Sequence, residues 1–144
     1  EHYYKNEHVD AIEHYDRALE IEPNNVEAWS NKGMALGHLG KYDEAIECYD
    51  RALEIEPNYA LALYNKGSAL GNMEKFNEAI ECYYKALEIE PNNVEAWANK
   101  GSALGHLGKY NEAIECYDRA LEIEPNNVEA LNNKRLAMTQ LEKA

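Results

Sequence analysis

The chain is short of positive charge, of paired cysteines and of long apolar runs, and each shortage closes off a class of function. Fourteen basic residues stand against twenty-seven acidic ones among 144, a formal net charge of −13. Proteins that grip a phosphate backbone collect positive charge, so nucleic acid is not an expected partner; the balance suits solubility and basic partners. No run reaches the roughly 18 apolar residues of a membrane-spanning helix, so no membrane partner is expected, and no signal-peptide pattern is visible. The three cysteines, Cys48, Cys82 and Cys116, recur at one place in a repeated pattern. Equivalent atoms of stacked units lie about 10 Å apart, beyond the roughly 7 Å that a disulfide spans between Cα atoms. They are expected to be reduced packing residues of a cytoplasmic protein. A phosphate-cradling glycine loop, a zinc motif, and a Ser/His/Asp or Cys/His set outside the repeat are all missing. The chain is therefore expected not to be an enzyme and to carry no cofactor or metal.

What is present is a period. Pro23, Pro57, Pro91 and Pro125 stand 34 residues apart, each closing a phrase of the form Ala-Leu-Glu-Ile-Glu-Pro-Asn. A strict period of this length means stacked units, none of which buries its apolar face alone. Residues 26–59 and 94–127 differ at four places only: Ser30/Ala98, Met34/Ser102, Asp43/Asn111 and Tyr59/Asn127. The middle copy, 60–93, has drifted further, with Leu61, Leu63, Tyr64, Asn72, Met73, Glu74, Phe76 and Tyr84. Residues 1–25 and 128–144 are partial units. A chain that begins without Met and in mid-unit fits either a piece of a longer protein or a designed, consensus-derived array.

Within 26–59, Asn24-Asn25 can cap a helix whose first turn carries Glu27 at the positive end of its dipole. Ala28, Trp29, Lys32, Gly33, Leu36 and Leu39 follow one helical face. Gly40 breaks that helix, where a left-handed residue is cheap. A second helix begins near Tyr42 with Ala45, Ile46, Tyr49, Ala52, Leu53 and Ile55 as its stripe, and Pro57 ends it. Gly33, Ala45 and Ala52 allow close approach of the two helices, while Trp29 and Tyr49 fill the space left over. A bulky residue at Ala52 or Ala120 should cost about 1–3 kcal/mol by overpacking. Glu74 stands where Gly40 and Gly108 do; if that turn needs positive φ, it costs about 1 kcal/mol or more.

These residues resemble the tetratricopeptide repeat over essentially the whole chain. The matching places are Trp29, Gly33, Leu36, Ala45, Tyr49, Ala52 and Pro57, then Leu63, Gly67, Leu70, Ala79, Tyr83, Ala86 and Pro91. The third set is Trp97, Gly101, Leu104, Ala113, Tyr117, Ala120 and Pro125. Lysine (Lys32, Lys66, Lys100) departs from the family's leucine, and Leu36, Leu70 and Leu104 from its tyrosine. A lysine can lay its stem on apolar neighbours and keep its ammonium wet. The resemblance implies an all-α fold, an α-α superhelical solenoid of antiparallel helix-turn-helix repeats. Its organisation is one array over 1–144: a partial repeat at 1–25, full repeats at 26–59, 60–93 and 94–127, and a capping helix at 128–144.

The resemblance also implies that first helices line a concave groove. The residues expected there are Glu27, Ser30, Asn31, Met34 and His38, then Leu61, Tyr64, Asn65, Ser68 and Asn72. The third copy adds Glu95, Ala98, Asn99, Ser102 and His106, and the last helix Asn133. They lie off the packing stripe yet are mostly small or uncharged, whereas the second helix's outer face is dense in charge. The ladder Asn31, Asn65, Asn99 and Asn133 can donate to and accept from an extended peptide backbone. Some family members clamp acidic C-terminal chaperone tails with lysines and arginine. Those places hold Ser30, Tyr64, Ala98, Met34, Ser68, Ser102, His38, Asn72 and His106 here, so tight binding of such tails is not expected.

The ends carry two further expectations. Arg135 replaces the repeated glycine and, with Asn132, Asn133 and Lys134, resembles a solubilising cap. At the start, residues 7–21 read as a second helix and 1–6 as a stub of its partner, leaving an apolar face uncovered. The leading reading is a non-catalytic scaffold binding a protein or peptide segment in the groove. The alternative is a structural or designed array that self-associates as a homo-oligomer through its N-terminal helix.

Overall fold

The computed structural model describes residues 2–143. Among them the chain forms eight helices and no strand: α1 (His2–Ile21), α2 (Val26–His38), α3 (Tyr42–Ile55), α4 (Ala60–Asn72), α5 (Phe76–Ile89), α6 (Val94–His106), α7 (Tyr110–Ile123) and α8 (Val128–Lys143). α2–α3, α4–α5 and α6–α7 are antiparallel hairpins, and each helix packs on the next in chain order. First helices also meet: Cα atoms of α2 and α4, α4 and α6, and α6 and α8 come within 8 Å.

Local chemistry sets the boundaries. Asn25 Oδ1 accepts from the Ala28 amide at 3.0 Å, Asn93 from Ala96 at 3.0 Å and Asn127 from Ala130 at 2.9 Å, each satisfying an otherwise orphaned donor. α2 closes with a Schellman turn. The Lys41 amide donates to Leu36 O at 2.9 Å and the Gly40 amide to Gly37 O at 3.0 Å, with Gly40 at φ 79°. Gly108 repeats this at φ 78°, and Glu74 adopts the same turn at φ 61° without glycine's freedom. Second helices stop at Ile55, Ile89 and Ile123, two residues before proline.

The first unit departs from expectation. Residues 1–6 were expected to form a separate stub, but α1 runs unbroken from His2 to Ile21. Lys5-Asn6-Glu7 stand where later units have Leu39-Gly40-Lys41. Asn6 holds the place of Gly40 and Glu74 but does not take the left-handed turn, so the backbone stays helical.

Close approach within each hairpin depends on glycine. A Cβ at Gly33 would lie 2.6 Å from the Tyr49 ring, at Gly67 2.8 Å from Tyr83, and at Gly101 2.7 Å from Tyr117. The tyrosines thus seat on bare backbone, with Ala45, Ala52, Ala79, Ala113 and Ala120 fully buried around them. Cys48, Cys82 and Cys116 are free and buried in the same layer. Burial pushes the Cys48 and Cys116 thiols up to about 11.

Adjacent units are tied by the lysines. Lys32 Nζ lies 2.6 Å from Asp16, Lys66 Nζ 2.7 Å from Asp50 and Lys134 Nζ 2.7 Å from Asp118. For Lys32 and Lys66, burial works against the charge most strongly, but the hydrogen bond and field of the aspartate raise the pKa on balance. Lys100 faces Tyr84 instead of aspartate, its Nζ 5.0 Å from the ring centroid. Trp29 and Trp97 anchor the inter-unit loops, their Nε1 donating to Pro23 O and Pro91 O at 2.8 Å. At the end of the array Arg135 is exposed, as are Val128, Leu131, Leu136 and Met138.

Candidate functional site

One face, formed by α2, α4, α6 and α8, carries three hollows that repeat with the sequence period. The first, of 170 Å³, lies among Met34, His38, Tyr42, Tyr49, Asn65 and Asn72. The second, of 310 Å³, has Ser68, Asn72, Phe76, Tyr83, Asn99 and His106 in the same places. The third, of 360 Å³, has Ser102, His106, Tyr110, Tyr117, Asn133 and Gln140. No Lys, Arg, Asp or Glu lines any of the three.

Nine of the sixteen residues expected from sequence line these hollows: Met34, His38, Asn65, Ser68, Asn72, Asn99, Ser102, His106 and Asn133. Seven do not. Glu27, Leu61 and Glu95 are exposed in the first turns of α2, α4 and α6, beside the hollows rather than within them. Asn31 and Tyr64 are half-buried. Ser30 is fully buried and Ala98 nearly so, so neither offers surface to a ligand. In the middle unit the same position meets the asparagine of the next one. There Asn99 Nδ2 donates to Tyr64 Oη at 3.0 Å. In the preceding unit Ser30 Oγ and Asn65 Nδ2 are both buried without a partner.

Second helices also contribute, which the sequence reading assigned to packing alone. Tyr42, Phe76 and Tyr110 open α3, α5 and α7 and wall the hollows, and the hydroxyls of Tyr49, Tyr83 and Tyr117 reach them from behind. The short hairpin turn places the first residue of each second helix beside the end of the next first helix. Phe76 accordingly stacks on His106 at 4.6 Å between ring centroids and 14°, and His8 stacks on His38 at 4.9 Å and 25°. The thinness of each glycine position lets the tyrosine ring extend past the first helix: a Cβ at Gly37 would meet Tyr49 Oη at 4.0 Å. The available signal was an aromatic at the start of every whole unit's second helix.

Polar order inside the hollows comes from hydroxyls and imidazole. Tyr83 Oη donates to Ser68 Oγ at 3.3 Å, and Ser102 Oγ and Tyr117 Oη share a hydrogen bond at 3.4 Å. His106 Nδ1 lies 2.8 Å from Ser102 O. Burial pushes the Tyr83 hydroxyl up to about 12. It also raises that of Tyr64, to which the charges of Glu95 and Glu129 add. Among the described residues no three His, Cys, Asp or Glu side chains converge as metal ligands, and no helix is long and apolar enough to cross a membrane.

Stacked helical hairpins, with one face of small polar and aromatic hollows at a 34-residue interval, define an α-solenoid of the repeat-scaffold class. The chain belongs to the tetratricopeptide repeat family, which matches residues 26–59, 60–93 and 94–127, and a TPR repeat also matches residues 1–40. The uncharacterized protein MJ0572 of Methanocaldococcus jannaschii is 44% identical over 34 residues, covering 24% of this chain and 40% of that protein. Among solved structures, MamA superposes with a TM-score of 0.88 at 26% identity, over 96% of this chain and 75% of its own. The first TPR of Spaghetti (RPAP3), bound to the HSP90 peptide SRMEEVD, gives a TM-score of 0.79 at 33% identity, over 81% of this chain and 93% of its own. The second TPR domain of human RPAP3, in complex with the HSP70 peptide SGPTIEEVD, gives 0.74 at 30% identity, over 76% and 92%.

Proposed function

We propose that the chain is a non-catalytic interaction scaffold that holds an extended peptide or protein segment along the α2–α4–α6–α8 face. The observation that carries this reading is the set of three equivalent hollows, each with an asparagine, a tyrosine hydroxyl and an aromatic wall at the same unit positions. A ligand that repeats along its own length is the natural complement of such a surface. The peptides bound by the Spaghetti and human RPAP3 domains support a peptide as the class of ligand. The sequence of the ligand should differ from theirs. The hollows hold no cation to meet a row of carboxylates, and a carboxylate loses its charge-assisted bonds without one. Calorimetry with SRMEEVD or SGPTIEEVD should show no binding at micromolar affinity or better. The three free thiols support a reducing, cytoplasmic setting.

The test of the scaffold reading is selection from a displayed peptide library. Reproducible ligands should emerge, and changing Tyr64 and Asn65 together to alanine should weaken them. A library that returns nothing reproducible identifies an inert array.

Self-association is the second reading. The observation favouring it is apolar exposure at both ends: Val9 and Ile21 on α1, and Leu136 and Met138 on α8. It would not simply extend the array. A Cβ at the glycine position overlaps the second-helix tyrosine in every hairpin, so Arg135 opposes docking of a copy's α1 in the native register. Sedimentation at high concentration should reveal dimers under this reading, and monomer alone would sink it.

A further inference from the structure

We infer that Lys100 is a site of methylation at Nζ, where the Tyr84 and Trp97 rings form a cage for the methylated ammonium. The lysines at this unit position do not share one environment. Lys32, Lys66 and Lys134 each hold an aspartate at 2.6 or 2.7 Å. Lys100 meets Tyr84 where those aspartates stand, and among the described residues it makes no ion pair. Its Nζ lies 5.0 Å from the Tyr84 ring centroid and 5.5 Å from that of Trp97. Both lie within the roughly 6 Å over which a ring face attracts a cation. Lys32 also sits over a tryptophan, at 5.7 Å, but commits a donor to Asp16.

Methylation keeps the charge of a lysine and removes its N–H donors one by one. For Lys66, full methylation breaks the hydrogen bond to Asp50 and pushes the two charges apart. Lys100 has no such bond to lose. A methylated ammonium is larger and more weakly hydrated, and aromatic faces are the surfaces on which such groups are recognised. Room and charge agree. A hollow of 240 Å³ is lined by Lys100 with Trp97, Glu112 and Glu115, and it shares no residue with the three hollows of the α2–α4–α6–α8 face. It can take up added methyl groups, and its two carboxylates favour a group that stays cationic. Arg119 lies over the same tryptophan at 5.9 Å but pairs with Glu122 at 3.8 Å. The amine can swing out to a modifying enzyme without breaking a hydrogen bond, because Tyr84, one wall of the cage, is 56% exposed. The methyl donor is a sulfonium compound. The neutral amine attacks the methyl carbon, the N–C bond forms as the S–C bond breaks, a thioether leaves, and the proton shed by the ammonium passes to solvent. The product fastens α5 to α6 at the junction that lacks a lysine–aspartate tie.

The test has two arms. Chains carrying Nε-trimethyl-lysine at position 100 or at position 66 are compared with the unmodified chain by urea unfolding. Trimethylation of Lys66 should raise the unfolding constant by up to about fivefold, as for a partly exposed ion pair. Trimethylation of Lys100 should leave that constant unchanged or lower it. Tyr84→Asp should reverse the second result, because trimethylation then deprives Lys100 of a carboxylate partner. In the chain purified from the cells that make it, peptide mass mapping should find methyl groups on Lys100 and none on Lys32, Lys66 or Lys134. Equal destabilisation by trimethylation at Lys100 and Lys66, or an unmethylated Lys100 in the native chain, overturns the inference.

Discussion

The middle unit, 60–93, and its two nearly identical neighbours share one backbone but hold it with different contacts. The flanking units begin with asparagine caps, close their hairpins with glycine, and seat a tryptophan indole on a loop carbonyl. The middle unit begins at Tyr59 with no side-chain cap, turns through Glu74 at φ 61°, and has Leu63 in place of tryptophan. It also offers Lys100 an aromatic face where its neighbours offer aspartate. The features that do not change are the glycine–tyrosine seat and the buried alanines. The comparison separates what the array needs from what it tolerates. Steric requirements between helices are kept in every unit, while caps, turns and ion pairs, each contributing about 1 kcal/mol or less, are exchanged freely.

Alkaline pH should expose the largest effect. Cys48, Cys116 and Tyr83 bind their protons more tightly when folded, with values of about 11, 11 and 12, and Tyr49 is raised further still by burial. A group whose folded pKa is raised favours the folded state less as pH climbs past its unfolded value. The lysine–aspartate ties act in the same direction, since the raised Lys32 and Lys66 hold their protons more tightly only when folded. Stability to urea should therefore be level up to about pH 9 and fall steeply as pH rises through 11. The middle unit sharpens the point. Burial also raises Cys82, but Lys66 and Lys85 pull it back, so iodoacetamide titration in the native state should find Cys82 ionising first. Simultaneous titration of the three thiols would break the distinction.

Gly101→Val tests the invariant seat directly. Its Cβ would sit 2.7 Å from the Tyr117 ring, and the overpacking should cost about 1–3 kcal/mol by urea unfolding. Gly105→Ala, one turn along the same helix, should instead stabilise by about 0.5–1 kcal/mol.

Smaller effects should come from the tolerated places. Glu74→Gly should stabilise by about 1 kcal/mol by relieving a left-handed backbone, and Gly108→Glu should destabilise by a similar amount. If calorimetry shows neither, the two turns are equivalent despite their residues. Tyr84→Asp should restore the lysine–aspartate tie at the one inter-unit junction of the three whole units that lacks it. Because such pairs are half exposed, the change in stability should stay within about 1 kcal/mol. Its signature should be new salt sensitivity of the thermal midpoint rather than a large shift.

Much of the fold was legible in the 34-residue period because one helical hairpin, once recognised, repeats by stacking. Gly33, Tyr49 and Ala52 could be assigned to close helix packing from their sizes and spacing, and Gly40 and Pro57 marked turns from their backbone preferences. The continuous α1 was less legible, since Lys5-Asn6-Glu7 contains no strong breaker and the period argued for a turn there. The candidate site was legible in part. Asn65, Asn99 and Asn133 stood out as polar residues off the packing stripe, but Ser30 and Ala98 lie off the same stripe and are buried.

From sequence alone, then, follow the shortage of cations, the unpaired thiols and a one-dimensional array of near-identical units, because composition and period are properties of the chain itself. Which face of a helix meets a neighbour and which stays open depends on the rotation between units, and that was decided only in three dimensions. The same rotation brought Tyr42, Phe76 and Tyr110 beside residues about one unit away in sequence, left Asn65 Nδ2 unpaired while Asn99 found Tyr64, and set Lys100 over Tyr84. A periodic sequence specifies the units, and the packing between them makes the hollows.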